Sequence, residues 1–156
     1  MIKPCVHTEF DKLNSVILGI SHDFGGCPTL KEAYDPKSKE YIINGKFPTE
    51  AGIKSNLNEL NEIFIKYRIN VFRPINIVNC NQVFSRDIGF VIGNTFFIAN
   101  TINKRSEEIK GLEMILKNIH SQSIEKIPKN IFIEGGDVLV SKDYLFIGYS
   151  KFANFI

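Results

Sequence analysis

The chain has no excess of charge of either sign: 19 basic and 17 acidic side chains leave a net charge of +2. That balance lacks the electrostatic footprint of a protein that binds nucleic acid or an anionic membrane, and neither is expected as a partner. Cysteine is scarce. Cys5, Cys27 and Cys80 are odd in number, and no two stand at C-x-x-C spacing. Nothing there resembles a zinc ligand set or a disulfide framework, and a reduced, cytoplasmic compartment fits best. No apolar run approaches the roughly 20 residues of a membrane span. Residues 1–10 lack the apolar core of a signal peptide.

What is present is globular. Of 156 residues, 44% are hydrophobic and 23% charged, enough for one domain with a real core. Ser15 to Ile20 reads as a buried strand. The stretch from Ser21 to Pro48, punctuated by Gly25-Gly26, Pro28 and Asp35-Pro36, reads as a long loop. Thr49 caps a helix whose apolar face carries Ile53, Leu57, Leu60, Ile63, Phe64 and Tyr67. Ile69 to Phe72 is a strand that Pro74 stops. Residues 89–92 and 95–99 form a hairpin about Gly93-Asn94. A second helix starts near Ser106, with Ile109, Leu112, Ile115, Leu116 and Ile119 as its stripe. Glu107 and Glu108 suit its N-terminus. Ile131 to Ile133 is a strand, and Val138 to Val140 and Tyr144 to Gly148 follow after a break.

Two segments echo each other. Asp87 and Asp137 each precede a strand, a polar turn and a second strand, and they stand about 50 residues apart. A period of that size suggests a propeller-like or cyclic arrangement; chance likeness of two hairpins is the plain alternative. In a cyclic arrangement equivalent ends converge, so that Asp87, Glu134 and Asp137 line one pocket.

The Ile133-Glu134-Gly135-Gly136-Asp137-Val138 segment sets two acids and two glycines between apolar runs. Two glycines allow a sharp turn or close backbone approach. Buried carboxylates need partners, and a guanidinium offers paired donors in a matching fork. A turn with solvated acids explains the motif equally well. The Phe84-Ser85-Arg86-Asp87-Ile88-Gly89-Phe90 segment, taken alone, favours a structural ion pair at a strand end.

Together, and with Glu9 to Gly19 and Val71-Phe72-Arg73-Pro74, these stretches resemble the amidinotransferase family of the pentein superfamily. That superfamily also holds arginine deiminases and dimethylarginine dimethylaminohydrolases. The likeness runs over the whole chain, but only over the N-terminal half of such an enzyme. It implies an α/β fold, a pentein-type α/β propeller of which residues 1–156 form about half the ring. It implies that Asp87 grips the guanidinium of arginine or another guanidino small molecule. It gives Glu134 a catalytic role, contacting the guanidinium or orienting the catalytic histidine. Asp137 supports the substrate site or forms its turn, and Arg86 pairs with a neighbouring acid. A cysteine thiolate forms a covalent amidino-enzyme and a histidine moves protons, with no cofactor and no metal.

In the family that cysteine and histidine come from the other half. His7, His22, His120, Cys5, Cys27 and Cys80 do not follow its pattern. The expectation is therefore a guanidino-modifying fragment, inactive alone, that needs its missing C-terminal half or self-association. Hydrolases of the same superfamily and a non-catalytic guanidinium-binding protein are the alternatives. A third, a relative of the ribosome anti-association factor, has no reason to keep these acids. Exposed strand and helix faces should make the isolated chain associate.

Overall fold

The computed structural model describes residues 1–149 and the backbone of strand residues 154–155. The fold is mixed α/β. Strand β1 (Ser15–Ile17) lies parallel to β2 (Asn70–Phe72), in register Ser15 to Asn70. Parallel neighbours need a crossover, and two helices supply it. The first, α1 (Pro36–Ile43), corrects the reading of residues 21–48 as one loop. Asp35 and Pro36 are a helix start here: the Asp35 carboxylate accepts from the Ser38 N–H at 2.7 Å and proline occupies the first turn. The second, α2 (Glu50–Lys66), begins as expected, with Thr49 accepting from the Gly52 N–H at 3.1 Å. Only part of its expected stripe is covered: Ile53, Leu57 and Phe64 are half-buried, whereas Leu60, Ile63 and Tyr67 are exposed.

Strands β3 (Gly89–Ile92) and β4 (Thr95–Ile98) form the expected antiparallel hairpin, with Gly93 at φ +57 in its turn. Strand β5 (Ile124–Lys126), which no sequence signal marked, lies parallel to β4. Side chains alternate across this hairpin. Phe96 and Ile98 face one core cluster with Ile88, Leu112, Ile115 and Ile119. Phe90 faces the other, with Ala99, Ile133 and Val138, and stacks on Phe97 at 5.5 Å. The hairpin therefore has a core on each face.

The second helical region departs from expectation. It starts at Asn103, runs as a 3-10 helix to Leu112, and is α-helical only over α3 (Glu113–Leu116). A 3-10 helix has three residues per turn, so i and i+3 eclipse. Arg105, Glu108 and Gly111 are buried at that spacing. The chain then returns through β6 (Ile131–Phe132), paired with β9 (Asn154–Phe155), to a short 3-10 turn (Gly135–Asp137). A second antiparallel hairpin, β7 (Val138–Ser141) and β8 (Tyr144–Ile147), follows. Both segments of the sequence echo thus end in hairpins.

Candidate functional site

Asp87 closes a turn whose N–H returns to the Phe84 carbonyl at 3.1 Å, just before β3. Its neighbours fasten that turn. The Ser85 hydroxyl donates to the Ile17 carbonyl at 2.7 Å, at the end of β1. Arg86 donates to the Val138 carbonyl at 2.7 Å and pairs with Glu9 at 3.1 Å. Arg86 thus pairs with an acid, as expected, but with one 77 residues away in sequence rather than with adjacent Asp87.

The Glu134–Asp137 turn packs directly on this one. The Gly135 N–H donates to the Asp87 carbonyl at 3.1 Å. A Cβ on Gly135 would stand 2.1 Å from the Arg86 carbonyl oxygen, and one on Gly136 would stand 2.7 Å from Asp87 Oδ1. Gly135 is needed because one acidic turn lies against the backbone of the other, whereas a side chain at Gly136 would meet only the tip of Asp87. This brings Asp87 and Glu134 to a common point.

That point holds Arg105. Its Nη1 donates to Asp87 Oδ2 at 2.8 Å and to Glu134 Oε1 at 3.1 Å. Its Nε and Nη2 form a bidentate pair with Glu108, both at 2.8 Å. The Arg105 side chain is 7% exposed and that of Glu108 5%, against 22% for Asp87 and Glu134. Three carboxylates face one guanidinium, so the fully ionised cluster carries three negative charges against one positive. Burial works to lower the Arg105 pKa, but the Glu108 pairing and the other acids hold it above the ordinary range, so it stays charged. Glu134 titrates above the usual glutamate range: burial raises it, Arg105 opposes, and like charge on Asp87 adds to the rise. Glu108 is raised in the same direction, by burial first.

Asp137 is placed beside this group but is not an Arg105 partner. Its Oδ2 accepts from the Glu134 N–H at 3.3 Å, which makes it the former of the turn. Arg105 was not singled out in the sequence, and Glu108 was read only as an acid at a helix start. The signal was the i, i+3 Arg-x-x-Glu within Lys104-Arg105-Ser106-Glu107-Glu108, a run that reads as a solvated helix start. Glu108 is instead buried against Arg105, and Glu107 pairs with Lys110.

Among the described residues, no hydrogen bond or ion pair joins a cysteine or histidine to Asp87, Glu134 or Arg105. His22 lies between Asp23 and Glu50 at 3.3 and 3.5 Å. His120 accepts at Nδ1 from the Gln122 N–H at 3.3 Å. Cys80 is half-buried, and burial together with the charges of Glu108 and Glu107 pushes its thiol up, away from the thiolate a nucleophile needs. Among the described residues no group of three or more histidines, cysteines and acids is arranged to hold a metal ion. No helix of the described residues is long and apolar enough to cross a membrane. Two apolar clefts, of about 450 and 370 Å³, are not lined by Asp87, Glu134 or Arg105.

No protein-family model matches the chain. A Bacillus subtilis (strain 168) protein described as uncharacterized, YkgA, is 41% identical over 153 residues, which is 96% of this chain and 50% of YkgA. Among solved structures, SxtG, an amidinotransferase of saxitoxin biosynthesis from Microseira wollei, matches with a TM-score of 0.73 at 18% identity, over 97% of this chain and 56% of SxtG. A Pseudomonas aeruginosa dimethylarginine dimethylaminohydrolase complexed with citrulline matches with a TM-score of 0.68 at 14% identity, over 92% of this chain and 53% of the enzyme. The chain spans about half the length of each of these three proteins. In fold, the chain resembles the amidinotransferases and dimethylarginine dimethylaminohydrolases of the pentein superfamily over about half of such an enzyme.

Proposed function

We propose that this chain supplies the guanidinium-binding part of a guanidino-group-modifying enzyme, with Asp87 and Glu134 as the residues that grip the substrate. One observation carries the reading: a single guanidinium nitrogen, Nη1 of Arg105, already bridges Asp87 Oδ2 and Glu134 Oε1. The spacing of these two carboxylates therefore fits a guanidinium. Arg105 does not engage the second oxygen of either acid, and its one positive charge does not balance three carboxylates. A further planar cation, the guanidino group of arginine or a similar small molecule, would relieve that imbalance.

In this reading Arg105, locked to Glu108, is the internal strut that sets the distance between the gripping acids. Glu134 also meets the catalytic histidine, and Asp137 holds the turn that presents Glu134. The cysteine and histidine come from the complementary half, which together with this chain closes a propeller. The thiolate attacks the guanidinium carbon and a C–N bond breaks. The departing amine takes a proton from the histidine, leaving an amidino group on sulfur. An acceptor amine then takes that group in a transferase, or water hydrolyses it in a hydrolase. The two structural neighbours, one of each kind, support either outcome. The lack of any cysteine or histidine contact to the cluster, among the described residues, favours binding without turnover by this part alone. Three free cysteines suit a reducing, cytoplasmic compartment.

Calorimetric titration with arginine tests the proposal. The wild-type chain should bind, and Asp87→Asn should weaken binding at least about tenfold, the loss of one charged hydrogen bond of roughly 1.5–3 kcal/mol. Equal affinity in the two proteins would remove Asp87 from the site.

A further inference from the structure

A small cavity of about 280 Å³ opens where the loop after β1 meets α2 and the end of β2. Ser21 and His22 line it from the loop, Lys54, Leu57 and Asn58 from α2, and Arg73 from the position after β2. Lys54 and Asn58 stand at i and i+4, so they share one face of the helix. Ser21 is buried, Arg73 is half-buried, and Lys54 and Asn58 are exposed.

Arg73 is a half-buried cation without a counter-charge among the described residues. Its Nη1 donates to the Gly19 carbonyl, and the rest of the guanidinium meets no described acceptor. Burial pulls its pKa below the ordinary range, and no acid offsets that. Among the described residues neither Arg73 nor Lys54 is in an ion pair, and the side chains of Lys54 and Asn58 make no hydrogen bond. The acids of this region are engaged elsewhere. Asp23 and Glu50 lie against His22 at 3.3 and 3.5 Å, and Asp23 also accepts from Asn76 at 2.8 Å. Neither acid lines the cavity. A cation drawn out of water needs a partner. Two cations, an amide and a hydroxyl, brought from three elements, suit a tetrahedral oxyanion better than a carboxylate, which one planar fork satisfies.

We propose that this cavity binds the phosphate group of a small molecule through Arg73, Lys54, Asn58 and Ser21. None of these side chains is a partner of Asp87, Glu134 or Arg105, so the site is separate from the acidic cluster. Inorganic phosphate is the probe, added at constant ionic strength against chloride. The chain has four arginines, so the arginine Nε–H region of a heteronuclear NMR spectrum is short, and Arg73→Lys identifies the Arg73 signal. Phosphate should move that signal saturably, and acetate at the same concentration should not. Lys54→Gln, at an exposed position, should weaken phosphate binding at least about threefold, whereas Lys66→Gln at the far end of α2 should bind as wild type does. An Arg73 signal that follows chloride and phosphate alike, or an unchanged affinity in Lys54→Gln, would overturn the site. An equal response to acetate would overturn its assignment to phosphate.

Discussion

Arg105 is the side chain on which the candidate site depends, and its removal should show how much. A buried arginine facing three acids cannot be deleted without leaving like charges together in a poorly solvated place. We expect Arg105→Ala to lower unfolding free energy by about 3–5 kcal/mol in urea denaturation. Arg105→Lys should recover only part of that loss, because an ammonium cannot reproduce the fork on Glu108. Glu134 gives a pH signature. Its pKa lies above the usual glutamate range, so it takes up a proton while an ordinary glutamate is still charged. A protonated Glu134 no longer attracts a cation, so the association constant for arginine should rise with pH through that raised pKa and then level off. Titrations from about pH 4 to about pH 8 check this, and Glu134→Gln should flatten the profile. At this scale Asp87 and Glu134 were singled out only by the resemblance of their two motifs taken together, since alone one motif favours a structural ion pair and the other fits solvated acids equally well. Arg105 was not. A basic residue in a polar run looks solvated until a distant acidic turn folds over it.

The elements were legible where local chemistry had one meaning. Thr49 before an amphipathic run and Gly93-Asn94 between two apolar runs each marked what formed. Asp35-Pro36 had two meanings, turn and helix start, and the Ser38 N–H made it the second. Residues 103–116 kept their apolar stripe, but the buried Arg105–Glu108 pair favours a pitch of three per turn over the α-helical one. Strand β5 is three residues long and polar in two of them, and only its pairing with β4 makes it a strand. The Gly135-Gly136 turn supplies the element-scale test. Gly135→Ala must push a methyl group against the backbone carbonyl of Arg86 and move the Asp87 turn with it. A stability loss of about 1–3 kcal/mol is expected, together with weaker arginine binding. A fully stable variant with unchanged affinity would show that the two acidic turns do not lean on each other.

The whole molecule leaves apolar surface uncovered around β7 and β8. Leu139, Tyr144 and Phe146 are exposed on one face of that hairpin, and Leu145 and Ile147 on the other. The second face lines the 370 Å³ apolar cleft. Surface of this kind favours association. Sedimentation should show concentration-dependent oligomers, and Phe146→Lys should shift them towards monomer. A single monomeric species at high concentration would count against this. The repeated hairpins were visible in the sequence because each carries its own acid and turn. Their mutual arrangement was not, because bridges such as Asn100 to Ile133 and Thr8 to Ser141 join residues that no local pattern links. A crystal structure of the protein grown with arginine is the decisive test of whether Asp87 and Glu134 receive a guanidinium. It should show a planar cation against Asp87 and Glu134, with Arg105 still held by Glu108. Arginine bound elsewhere, with this pair left to Arg105 alone, would contradict that assignment.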